Sequence, residues 1–129
     1  MNPQTEFLQL IAETAEASCN LFASVSLEEL PAEGGLYAEL GAGFIEERYF
    51  DKTVIKVLPV MFLAKSMDQK EALEALASIC NYFDRLKEYP SGDSFAWLDA
   101  EISKEPSKIG RDEDGMIYYS CILQCKIHY

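Results

Sequence analysis

Residues 53–87 read TVIKVLPVMFLAKSMDQKEALEALASICNYFDRLK, and the change of rhythm inside this stretch decides the fold. From Thr53 to Lys65 the chain is rich in Val, Ile, Leu and Phe, the composition of a strand. From Leu73 onward the apolar residues Leu73, Leu76, Cys80 and Phe83 recur at steps of three and four, flanked by Ala72, Ala77, Ile79 and Leu86. That spacing marks one broad face of a helix running through residue 87. Between the two, Ser66-Met67-Asp68-Gln69 fits a capping box, with Ser66 as N-cap and Gln69 three residues on. Pro59 sits inside the strand and cannot donate a ladder hydrogen bond, so the strand must lie on an edge, carry a bulge or change partner there.

Working outward, Phe44 to Phe50 pairs naturally with Thr53 to Lys65 as a hairpin around Asp51-Lys52. Leu36 to Leu40 reads as a shorter strand ended by Gly41-Ala42-Gly43, and Pro31 with Gly34-Gly35 breaks the linker over residues 26–35. Over residues 4–23, Phe7, Leu8, Ile11, Ala15, Cys19 and Phe22 fall on one helical stripe. Beyond the second helix come turn residues at Pro90-Ser91-Gly92-Asp93, a weakly alternating strand from Ala96 to Ser103, and another turn at Asp112 to Gly115. The last segment alternates, with Ile117, Tyr119, Cys121, Leu123, Cys125 and Ile127 on one face, as in a long strand buried on one side. The expectation is an α+β fold: two helices packed on one mostly antiparallel sheet of about five strands, in the order α-β-β-β-α-β-β. A single domain spans 1–129, its body at 36–129.

The 129 residues include 22 Asp or Glu and 11 Lys or Arg, a formal charge of −11. Residues 1–50 hold nine carboxylates and one base, Arg48. Affinity for nucleic acid comes largely from Lys and Arg at phosphates, so specific nucleic-acid binding is not expected. No apolar run approaches the roughly 20 residues that span a bilayer, and the N-terminus lacks the basic and apolar regions of a signal peptide. This points to a cytosolic protein whose Cys19, Cys80, Cys121 and Cys125 are free thiols. Cys121 and Cys125 would stand roughly 13 Å apart on one strand face, too far to bridge. The paired cysteines of zinc sites are missing, and His128, the sole histidine, falls on the polar face of the last strand, so no metal is expected. Neither a phosphate loop nor a nucleophile with its base is present, and the chain reads as a non-enzyme without cofactors.

What remains is an interaction protein. Tyr49 and Phe50 beside the Asp51-Lys52 turn would leave bulky aromatics at a hairpin tip, where they either anchor a partner or cover the domain's own core. With the edge suggested by Pro59, residues Tyr49, Phe50, Asp51, Lys52 and Pro59 form the candidate assembly interface.

The string Lys65-Ser66-Met67-Asp68-Gln69 with its alanine- and leucine-rich helix, then Ile102 through Gly115 and the strand Met116 to His128, resembles the minor capsid and tail-terminator proteins of long-tailed bacteriophages and prophages. The resemblance covers the chain from about Leu36 to the end. It implies a ring, usually a hexamer, that caps the tail tube in the host cytoplasm, meets the head-completion proteins at the head-tail junction and ends in the virion. Acidic residues facing the bore, with Glu46 and Glu47 as candidates, would let DNA pass without sticking. The alternative is a small acidic cytosolic adaptor or regulator that binds a basic protein partner. Alkylation in denaturant followed by mass spectrometry should count four free thiols; fewer in protein kept anaerobic would contradict the thiol assignment.

Overall fold

The structure, a computed structural model, describes residues 2–129. Helix α1 (Pro3–Ser18) is followed by strands β1 (Val25–Ser26), β2 (Gly35–Leu40), β3 (Phe44–Arg48) and β4 (Val54–Ser66). Helix α2 (Gln69–Arg85) then leads to the long strands β5 (Ala96–Arg111) and β6 (Ile117–His128). The sheet has six strands in the order β1-β2-β4-β6-β5, with β3 also paired to β4. Only β1 and β2 run parallel. The α+β class and the two helices stand as expected, with a sixth strand in addition.

That extra strand is β1, which falls at the start of the expected linker. Two residues with a parallel partner eleven positions away leave no local pattern to read. Helix α1 also stops short of residue 23, because Cys19 adopts an extended conformation. Glu16, in the last turn, accepts a hydrogen bond from the Val25 backbone N–H at 2.6 Å and ties down the returning chain. At the other end of α1, the Asn2 side chain caps the Thr5 N–H at 2.8 Å.

Helix α2 begins at a different cap from the expected one. Asp68 is the N-cap and accepts from the Lys70 N–H, while Ser66 stays in β4, paired with Ile117. The Ser66 hydroxyl still serves the junction, accepting from the Asp68 N–H and donating to Glu71. The buried stripe of α2 consists of Ala72, Ala75, Leu76, Ile79, Cys80 and Phe83, and the helix ends at Arg85 rather than 87. Leu73 lies off that stripe and is exposed.

Both helices cover the same face of the sheet. Against them pack Leu58, Val60, Phe62 and Ala64 of β4 and Ile117, Tyr119, Cys121, Leu123, Cys125 and Ile127 of β6, in the two-residue alternation of half-buried strands. Trp97 ties the layers together: its ring meets Phe7 of α1 edge-on at 5.0 Å and lies 5.4 Å from Phe83 of α2 and 4.9 Å from Tyr89. The Glu6 carboxylate of α1 accepts from the backbone N–H and hydroxyl of Ser94, which together hold its pKa below the ordinary value. This contribution to stability is present above the ordinary carboxylate pKa and fades as pH falls through the lowered one. Two cysteines of β6 resist ionisation: a hydrogen bond with Cys80, followed by burial, pushes the Cys121 thiol far up, and burial does the same to Cys125.

Strand β5 runs eight residues past the expected Ser103. It passes Pro106 through register shifts between Ile102 and Lys104, Lys104 and Ser107, and Lys108 and Gly110. Proline breaks a strand only where its missing N–H is needed, and here Pro106 falls in a bulge on the outermost strand. Replacing Leu76, fully buried at the centre of α2, with alanine should destabilise the protein by about 2 to 5 kcal/mol in denaturant melts. A loss under about 0.5 kcal/mol would contradict this helix packing.

Candidate functional site

Strand β4 changes partners on one side. Leu36–Leu40 of β2 pair with Val60–Ala64, whereas Phe44–Arg48 of β3 pair with Val54–Val57. The junction falls at Pro59, whose carbonyl accepts from the Gly41 N–H at 2.8 Å. A strand residue points its N–H and C=O to the same side, so the hydrogen that proline lacks is missing at the gap between β2 and β3, and no β6 bond is lost. Of the three options that Pro59 leaves open, the partner change is the one realised. Gly43 makes the crossing possible, since a Cβ there would collide with the Val57 carbonyl oxygen.

Beyond that junction β4 stays paired with β6, and β3 forms the outer strand beside it. All five residues of β3 are exposed, and its outer edge has no strand partner among the described residues. The turn is one residue longer than Asp51-Lys52. The Lys52 N–H donates to the Tyr49 carbonyl, the Tyr49 N–H to the Thr53 carbonyl, and Lys52 adopts a left-handed φ of 74°. This is a three-residue hairpin loop with its left-handed residue last. Asp51 stabilises it by accepting from both the N–H and the hydroxyl of Thr53, bonds that lower its pKa.

Strand β3 therefore ends at Arg48, and Phe50 belongs to the turn. Phe50 is 108% exposed relative to the reference residue, and neither ring of the aromatic pair belongs to the buried core. Tyr49, 44% exposed, has a different surrounding from Phe50. Its ring meets His128 edge-on at 5.8 Å and its hydroxyl donates to Glu47 at 2.6 Å, a bond that raises the tyrosine pKa. Nε2 of His128 is buried there without a hydrogen-bond partner.

The two candidate bore residues both have partners. A register shift between Ile45 and Glu47 leaves Glu46 as the extra residue, and its carboxylate pairs with Lys126 at 3.1 Å, raising the lysine pKa. Glu47 is occupied by Tyr49. These groups lie on the sheet face opposite the helices, where Val57, Pro59, Met61 and Leu63 of β4 and Ile122 of β6 form the central stripe. The structure thus brings Tyr49, Phe50, Asp51 and Lys52 together at one tip, with Glu46 and Glu47 on the strand that leads into it. Pro59 stands apart, at the gap between β2 and β3.

Among the described residues no group of three or more His, Cys, Asp or Glu is placed to hold a metal ion, and no helix is long and apolar enough to cross a membrane. No protein-family model matches the chain, and no curated protein matches it significantly.

Proposed function

We propose that the protein is a non-catalytic structural component of a long-tailed phage or prophage, a tail terminator or minor capsid protein that self-assembles into a ring, a hexamer by the resemblance, at the head-tail junction. The observation that carries this reading is edge strand β3, free along its outer edge among the described residues, with the turn that follows it tipped by the exposed Phe50. An unpaired strand edge is a template for joining another chain, and proteins that do not use one usually cover or disrupt it. Exposed aromatics at the end of such a strand offer a large apolar contact at low entropic cost. In this reading, ring formation and tail-tube capping use both.

In this reading the protein assembles in the bacterial cytoplasm, meets tail-tube and head-completion proteins, and remains in the virion. The net charge of −11 suits a ring through which DNA passes without being retained. Engagement of Glu46 by Lys126 reduces the charge on β3, so the bore need not be formed by that pair.

Tyr49→Ala combined with Phe50→Ala should leave circular dichroism and melting nearly unchanged, since neither ring is in the core. The same variant should fail to cap tail tubes in electron micrographs of mixtures that the parent caps. Capping equal to the parent's would remove the tip from the interface, and unfolding of the variant would show that the tip supports the domain itself.

A further inference from the structure

The four cysteines find different partners for their thiols. Cys19 donates to the Ser78 carbonyl at 3.7 Å and Cys125 to the Leu123 carbonyl at 3.9 Å. Cys80 of α2 and Cys121 of β6 instead hydrogen-bond to each other. They are 1% and 0% exposed and belong to the same apolar cluster.

The fold sets up this meeting. Ser66, just before α2, pairs with Ile117, so the helix starts beside the first residue of β6. At its other end, the Tyr89 hydroxyl donates to the Phe83 carbonyl at 2.6 Å and reaches the Ala100 carbonyl at 3.3 Å, and Ala100 is the strand partner of Cys125. Helix α2 therefore runs along β6 from Ile117 towards Cys125. Cys80 lies on the buried stripe between these anchors, and its Cα–Cβ bond tilts back toward the helix N-terminus, hence toward Cys121.

Cys121 also sits at a break in the neighbouring ladder. Strand β5 pairs Lys104 with Ile122 and Ser107 with Ser120, and its bulge around Pro106 skips the residue between them. Among the described residues of β6, Cys121 alone has no β5 partner. A ladder interrupted there opens locally more readily than its flanks, which gives a solute a route to this sulfur.

We propose that Cys80 and Cys121 are a modification site, a disulfide that closes between α2 and β6 when the protein meets a small-molecule disulfide. In the first step the thiolate of one cysteine attacks a sulfur of the small disulfide, forms a mixed disulfide and releases one thiol. In the second, the sulfur of the other cysteine attacks the protein-bound sulfur, closes the Cys80–Cys121 bond and releases the second thiol. Two protein S–H bonds and one small-molecule S–S bond become one protein S–S bond and two S–H bonds. The protein loses two electrons and two protons, and the oxidant takes up both. The hydrogen bond to Cys80 and burial hold the Cys121 thiol protonated in the closed fold, so the exchange passes through local opening. Closure draws the sulfurs from contact to about 2.05 Å and fastens the helical layer to the sheet. This site does not depend on the assembly reading, and reduced protein still shows four thiols.

The test is incubation of folded protein with oxidised glutathione in mildly alkaline buffer, then an acid quench, alkylation in denaturant and mass spectrometry. Two thiols should be lost with no glutathione retained, dithiothreitol should restore all four, and far-UV circular dichroism should match that of the reduced protein. After trypsin, peptides 71–85 and 112–126 should be joined, with fragment ions that place the bond at Cys121 and the alkyl label at Cys125. Cys80→Ala should form no intramolecular bond. Four thiols remaining, a stable glutathione adduct in place of the cross-link, or a bond at Cys19 or Cys125 would each overturn the proposal. So would a cross-link that forms only with loss of native structure, or one that still forms in Cys80→Ala. The peptide map of the parent decides the matter even if that variant fails to fold.

Discussion

Twelve consecutive residues of β4, Ile55–Ser66, pair with β6 without a break in register, and the other elements are attached to that ladder. Its helix-facing side supplies the apolar surface on which α1 and α2 close. Its flanks carry β5 on one side and, on the other, β2 and β3 laid end to end. The constraint that divides this second flank is Pro59. Because its missing N–H would point toward β2 and β3, the ladder with β6 remains whole while the outer side is split. One half carries β2, which closes into the body; the other carries β3, an edge strand whose residues are all exposed.

Much of this was legible because it is local. The alternation in β6 and the three-and-four spacing in α2 are set by which residues face the core, and the structure places them there except for Leu73, which is exposed. The partner change at Pro59 was among the options that chemistry left open, and the pairing register identifies it. Features that depend on distant partners were not legible. Strand β1 exists because β2 lies beside it, and β5 continues beyond Pro106 because β6 offers a ladder that bulges can follow. Ser66 and Asp68 are both good caps in isolation, and the pairing of Ser66 with Ile117 gives the role to Asp68.

At the candidate site, two bulky rings beside a turn were visible in the sequence, but their surroundings were not. A loop one residue longer than Asp51-Lys52 sends Phe50 outward, while Tyr49 rests on His128, which is 79 positions further along the chain. The bulge in β3 that brings Glu46 to Lys126 leaves no mark in the sequence either.

That β3 is an exposed edge strand, flanking an unbroken β4-β6 ladder, is the claim on which the functional reading depends, and native-state amide exchange across a series of low denaturant concentrations tests it most directly. Backbone amides of Val60, Phe62 and Ala64 in β4 and of Cys121, Leu123 and Cys125 in β6 should exchange only through global unfolding, with protection that falls steeply as denaturant rises. The hydrogen-bonded amides of β3 should exchange through local opening, with much lower protection that hardly responds to denaturant. If the β3 amides instead match the body's protection and lose it with the same slope, β3 is part of the cooperative core and the account of a separable edge strand is wrong.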